Sequence, residues 1–405
     1  MLLSFALVFL CGMALGSLFQ KLKLPSLLGM IFTGIILGPY VLNLLDPSIL
    51  NISTDLRQVA LIIILTRAGL NLDFKDLKKA GRPAFFMCFV PACFEILGMV
   101  LLAPMLLGVT RLEAAIMGTV VAAVSPAVIV PRMLKLMEGR WGTQKGIPQM
   151  IMAGASVDDV FVIVLFTAFT GIAQTGSFTP IHLLTIPTSI ILGLLGGILC
   201  GLALAYFFSK VHIRDTGKVV ILLSISFLLV TLEHAMTGII GFSGLLAVMA
   251  MGAALQYRRY PVAKRLSGKF SKLWVGAEVL LFVLVGACVN IQYAVKAGIM
   301  AVILILCVLL FRILGVFLCL IKTKLNKKER VFSALAYLPK ATVQAAIGGL
   351  PLAMGLPCGE IVLTVAVLSI LITAPLGAIC VDVSYQKLLS HDLPNQKELS
   401  ASHHN

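Results

Sequence analysis

Thirteen apolar runs dominate this chain, at roughly 2–20, 24–43, 57–72, 83–108, 112–134, 147–173, 183–208, 217–236, 238–256, 273–295, 297–321, 330–354 and 359–382. Most approach the ~20 residues that a helix needs to cross the hydrocarbon core of a bilayer. In lipid, a spanning segment must satisfy its own backbone N–H and C=O groups, which leaves helices or closed barrels. Runs of this length read as helices. The expected fold is therefore an all-α polytopic membrane protein with about 13 transmembrane helices. The eighth and ninth runs almost touch near Thr237, so their junction is the least distinct. A hydrophilic tail, Gln386 to Asn405, follows a single transmembrane unit of residues 1–385 and is expected to be disordered.

Basic residues test this count. If successive loops alternate between the two faces, one face collects 26 of the 32 Lys and Arg. They come in clusters such as Lys75, Lys78, Lys79 and Arg82, or Lys322, Lys324, Lys327, Lys328 and Arg330. The other face keeps Arg57, Arg111 and Lys296, while Arg67, Arg312 and Lys340 fall inside runs. Positive charge marks the cytoplasmic face. The expected placement is the cell (inner) membrane, N-terminus outside and C-terminus cytoplasmic. A net charge of +15 would suggest nucleic acid in a soluble protein, but at 60% hydrophobic and 12% charged residues these loops account for it. No nucleic-acid partner is expected. The nine Cys show no CxxC and lie mostly in apolar runs, where they read as small hydrophobes rather than a disulfide or metal framework. The start of the chain has no basic n-region or clear cleavage site, so the first run is expected to remain as a span.

An internal repeat constrains the architecture further. Leu27-Leu28 and Gly34 match Leu245-Leu246 and Gly252 at an offset of 218, and Gly69 to Asn71 match Cys288 to Asn290 at 219. Glu95 falls opposite Arg312 at an offset of 217, and Pro126 opposite Pro339 at 213. The second copy lies seven runs after the first, an odd number, so it enters the membrane in the opposite sense. That is an inverted-topology repeat, an architecture of secondary transporters. Corresponding runs carry proline: Val124-Ser125-Pro126 in the fifth, and Leu338-Pro339-Lys340 in the twelfth. Proline removes a donor and clashes with the preceding turn. The freed backbone groups are tolerated in a membrane only beside protein or a watery cavity. A proline kink would explain either run alone; two matched interruptions favour a pair of broken helices at a transport site.

Asp158 and Asp159 lie inside the sixth run. Ionised groups at membrane depth are costly and mark ion or proton pathways. On a helix, adjacent residues point about 100° apart, so the two aspartates should have different partners. Ser156 shares a face with Asp159, and together they offer hard oxygen ligands for Na⁺ or Li⁺. Protons would compete with the cation for the same carboxylate. Lys340, beside the twelfth-run break, is a candidate counter-charge for Asp158. Glu95 and Arg312 suggest one buried ion pair, read first as a structural clamp and second as part of proton coupling. Arg67 and Glu278 lie nearer span ends and read as structural or vestibular. The six His give no catalytic signal.

Four stretches then carry a family likeness: Gly154 to Asp159, the Ser125-Pro126 break, Arg67-Ala-Gly-Leu-Asn-Leu-Asp73, and Leu338-Pro-Lys340 through Gly348. Together they resemble the monovalent cation:proton antiporters, in particular the two-aspartate branch of NapA-type bacterial exchangers and animal NHA proteins. The resemblance covers essentially all thirteen runs. It implies an NhaA/NapA-like fold with two broken crossing helices, a homodimer, no cofactor, and elevator-type alternating access. It also implies dimerisation spans near 1–43 and 183–256 and core spans near 57–173 and 273–382. Carried over, Asp159 resembles the cation- and proton-binding carboxylate and Asp158 its partner. Ser156, Ser125 and Val124 would add oxygens, and Lys340 would stabilise the crossover. Electrogenic relatives carry a lysine in the tenth span. None lies here between Glu278 and Tyr293, and Arg312 with Glu95 resembles the NHA arrangement, so one-for-one exchange is open beside electrogenic exchange. Two further readings stand beside Na⁺ (or Li⁺)/H⁺ antiport. One is a K⁺/H⁺ antiporter or cation channel of the same fold. The other is an intramembrane aspartyl protease, which would need two carboxylates brought face to face rather than adjacent on one helix.

Overall fold

The computed structural model describes the backbone of residues 1–72, 74–175, 180–236 and 241–391; side chains at 74–80, 156, 160, 175, 180–187, 234 and 293–297 lie outside the description. Among the described residues every apolar run coincides with one helix or with two or three short ones. The first half comprises α1 (Leu2–Lys21), α2 (Ser26–Leu37), α3 (Pro47–Asn51), α4 (Ser53–Asn71), α5 (Phe74–Met87) and α6 (Val90–Leu107). It continues through α7 (Arg111–Ala122), α8 (Pro126–Glu138), α9 (Ile147–Thr175) and α10 (Pro180–Lys210). The second half holds α11 (Asp215–Met236), α12 (Gly244–Arg258), α13 (Tyr260–Ala287) and α14 (Ile291–Cys319). It ends with α15 (Lys327–Ala336), α16 (Thr342–Ile347), α17 (Leu350–Ala353) and α18 (Gly359–Leu388). Among the described residues, nine helices are long and apolar enough to cross a membrane, with shorter apolar helices at Ser26–Leu37 and Thr342–Ala353.

Both proline-bearing runs are broken. Each begins with the same local device, a capping box in which a side chain and a glutamate satisfy the first free N–H groups. In α7 it is Thr110 with Glu113, and in α15 it is Asn326 with Glu329. Pro126 then takes the first turn of α8, where its missing N–H costs nothing. Pro339 sits inside the second interruption, between α15 and α16.

The repeat is visible in packing. A Cβ on Gly34 would run into the Val283 carbonyl of α13, and one on Gly252 would crowd Gly69 and Leu70 of α4. Reciprocally, Gly69 lies on the Met249 carbonyl of α12 and Gly286 on the Ile31 carbonyl of α2. Each half thus lends a helix to the other, and side-chain-free positions let the backbones touch.

The helices form two packed groups. One comprises α1, α2, α4, α11, α12 and α13, with α10 along α12; the other comprises α6 to α9 and α14 to α18. This moves a boundary expected from the sequence. The runs near 57–72 and 273–295, now α4 and α13, pack with the first group, because Gly69 and the Gly286 region seat against α12 and α2. Arg57, expected in a loop, is instead buried in α4, its guanidinium against Gly349. The helix of the tenth run starts earlier than expected, at Tyr260, and carries Lys264, Arg265, Lys269 and Lys272 as a helical extension. The tail also begins later than Gln386. Helix α18 runs to Leu388, Gly142 N–H donates to Ser390 O at 2.9 Å, and His391 bridges to Trp141. The rest of the tail, 392–405, and the Thr237 junction lie outside the described residues.

Candidate functional site

The two breaks lie against each other. Ser125 N–H donates to Pro339 O at 2.8 Å, and the Ser125 and Thr342 hydroxyls stand 3.1 Å apart. The Gln344 amide donates to Val121 O and Ala123 O at 3.1 and 2.9 Å, filling the carbonyls left open where α7 stops. Lys340 N–H is taken by the Thr373 hydroxyl of α18 at 2.9 Å. The freed backbone groups are therefore met by the opposite break and by polar side chains, as non-helical backbone at this depth requires.

Four charges lock onto this crossing, all with side chains 0% exposed. Arg312 of α14 donates through one guanidinium nitrogen to Glu95 at 2.7 Å and through the other to Asp158 at 2.9 Å. Its Nε donates to Tyr337 O at 2.6 Å, and the same nitrogen that holds Glu95 also reaches Ala122 O. Lys340 Nζ meets Glu95 at 2.6 Å and Ala122 O at 3.3 Å. Val124 N–H completes the set by donating to Asp158 at 2.9 Å. Both cations therefore lie at the C-terminal, negative ends of α7 and α15.

This arrangement corrects one expected pairing. The counter-charge of Asp158 is Arg312, and Lys340 pairs with Glu95 instead. A planar guanidinium presents donors in a fork that spans two carboxylates, whereas an ammonium is a single point. The absence of a lysine from the tenth run has no bearing on this pairing, because the partner cation arises on α14. Val124 and Ser125, expected as oxygen donors, use their N–H groups to tie Asp158 and Pro339. Ser156 has a side chain outside the described residues.

Two positive and two negative charges make the quartet neutral. Asp159 stands outside it: among the described residues its carboxylate makes no ion pair and its buried Oδ1 has no hydrogen-bond partner. A charge so placed is costly unless a proton or a cation neutralises it. Tyr337, Gln344 and Thr373 were missing from the expected set. The Tyr337 ring lies 5.2 Å from the Arg312 guanidinium, and its hydroxyl fills the space that a side chain at Gly154 would need. Polar residues inside otherwise apolar broken runs were the available signal for Gln344.

A cavity of about 960 Å³ lies between the two helix groups. Its walls include Leu24, Ala127, Arg132, Lys135, Glu278 and Asp382, so it runs from the basic loops toward the start of α8.

The sequence matches the family model described as "Sodium/hydrogen exchanger, transmembrane" over residues 5–382. The chain belongs to the sodium/hydrogen exchanger family. It is 35% identical over 406 residues to human sodium/hydrogen exchanger 9B2, covering 95% of this chain and 74% of that protein. Identity to human sodium/hydrogen exchanger 9B1 is 32% over 397 residues, covering 94% and 75%. Among solved structures, the sodium proton antiporter MjNhaP1 from Methanocaldococcus jannaschii superposes with a TM-score of 0.84 at 22% identity, covering 95% of this chain and 97% of that one. The likeness in three dimensions is one of fold. Members of this family are transporters rather than enzymes, which removes the aspartyl-protease reading.

Proposed function

We propose that this family member exchanges Na⁺ (or Li⁺) for H⁺ across its membrane, one for one, with Asp159 holding either the proton or the cation. The observation that carries this reading is the neutral quartet of Glu95, Asp158, Arg312 and Lys340 beside an unpaired Asp159. One unpaired carboxylate takes one positive charge at a time, so the two cargoes compete for it. In this reading Asp158 orients the site and stays tied to Arg312, and Val124, Ser125 and Ser156 supply further oxygens to the cation. The names of the relatives, sodium/hydrogen exchangers, agree with these cargoes.

Alternating access follows an elevator course in this reading. The group holding the crossing slides against the group built on α2, α4, α12 and α13. The cavity between them gives access from the basic, cytoplasmic face of the cell (inner) membrane. Exposed apolar residues along α1, such as Leu3, Leu10 and Met13, suit a homodimer formed through the first group. No cofactor enters the cycle.

The test is proton movement in proteoliposomes driven by Na⁺, Li⁺ or K⁺. Asp159→Asn should abolish cation-driven proton movement while the protein keeps its melting transition. Unchanged transport by that variant contradicts the assignment, and a response to K⁺ above Na⁺ and Li⁺ favours the K⁺/H⁺ reading.

A further inference from the structure

Glu278 is an intramembrane carboxylate that belongs neither to the quartet nor to the Asp159 site. It lies on α13 in the first helix group, half-buried, and lines the cavity that also reaches Ala127 and Val128 at the start of α8. Its depth follows from its neighbour. Val279 lies 2.9 Å from where a Cβ on Gly12 would stand, and Gly12 is nine residues before the end of α1 at Lys21. At 1.5 Å per residue that is ~14 Å inside the basic end of α1. Among the described residues Glu278 makes no hydrogen bond and no ion pair; the Arg67 guanidinium of α4 acts on it only through space.

The other charges on the cavity wall are placed differently. Arg132 and Asp382 are bound to each other at 3.1 Å. Lys23, Lys135 and Glu138 belong to the ends of α1 and α8 at the basic face. The unpaired carboxylate deep in the passage is thus Glu278, on the wall opposite the core helix that leads to the break. A negative group on a low-dielectric wall concentrates counter-ions near it.

We propose that Glu278 is a vestibular binding site for the monovalent cation cargo, holding the ion between the basic face and Asp159. This rests on the reading of Asp159 given above. Arg67, close by but not in contact, keeps that hold weak enough for the ion to pass on.

The experiment measures exchange in proteoliposomes as a function of Na⁺ supplied to the cavity face, for wild type, Asp159→Asn, Glu278→Gln and the double variant Arg67→Gln/Glu278→Gln. For Glu278→Gln the Na⁺ concentration giving half-maximal rate should rise roughly tenfold, with a maximal rate near wild type. The double variant should show the same rise. An unchanged half-saturation in Glu278→Gln overturns the proposal, as does a lower maximal rate alone. Recovery of wild-type behaviour in the double variant also overturns it, since Glu278 would then only neutralise Arg67. If Glu278→Gln loses the wild-type melting transition, Glu278→Asp decides: wild-type half-saturation supports the site and a raised one overturns it. A wild type that does not exchange, or an Asp159→Asn that does, strikes the parent reading instead.

Discussion

At the residue scale, the chemistry turns on how Arg312 divides its guanidinium. One nitrogen holds Glu95 and the other Asp158, while Lys340 binds the same Glu95 oxygen. Removing one member leaves a buried charge uncompensated, which costs about 3–5 kcal/mol. Glu95→Gln should therefore lower stability by about that amount, read as a drop in the melting transition of the detergent-solubilised protein. An unchanged transition would mean that the quartet is not the clamp described here. The identities of these residues were legible in the sequence, because charges in apolar runs stand out. Their pairing was not. Lys340 and Glu95 are 245 positions apart, and Arg312 and Asp158 are 154 apart. Nothing local distinguishes Lys340 from Arg312 as a partner for Asp158; the choice is made by the crossing of α7 and α15 and by the reach of a forked side chain.

At the scale of elements, the two halves are held by matched close approaches rather than by matched side chains. Gly34 and Gly252 occupy equivalent positions, each against a helix of the other half. Gly34→Ala and Gly252→Ala should each destabilise the protein by about 1–3 kcal/mol, the usual cost of overpacking. Because the sites are separate, the double variant should show the sum. A neutral result at either position, by thermal or denaturant unfolding, would show that the helices can part without penalty. The offset linking these glycines was readable in the sequence, as were the broken helices, since proline acts locally. The grouping of α4 and α13 was not readable. A small-residue face on a helix says that something packs closely there, and the partner that does so is fixed only by the assembled fold.

At the scale of the whole molecule, alternation of basic loops and the position of the cavity make one statement about sidedness. The cavity is open toward the face of Lys23 and Lys135 and reaches Ala127 beside the break. A cysteine placed by Ala127→Cys, with native cysteines replaced, should react with a membrane-impermeant thiol reagent supplied at the basic face. It should react far more slowly from the opposite face. Equal labelling from both faces would contradict an opening confined to the basic face. Charge asymmetry was legible from loops alone; the face on which the cavity opens was not, because it depends on how the two helix groups pack.

In the proposed cycle the neutral quartet leaves Asp159 as the single carrier, and each turn moves one cation against one proton. Na⁺-driven proton flux in proteoliposomes, measured with the membrane potential clamped at zero and at imposed values of either sign, tests it most directly. The same rate is expected at every potential. A rate that rises and falls with potential would mean that net charge crosses the membrane in each cycle, and that a member of the quartet changes its protonation with Asp159.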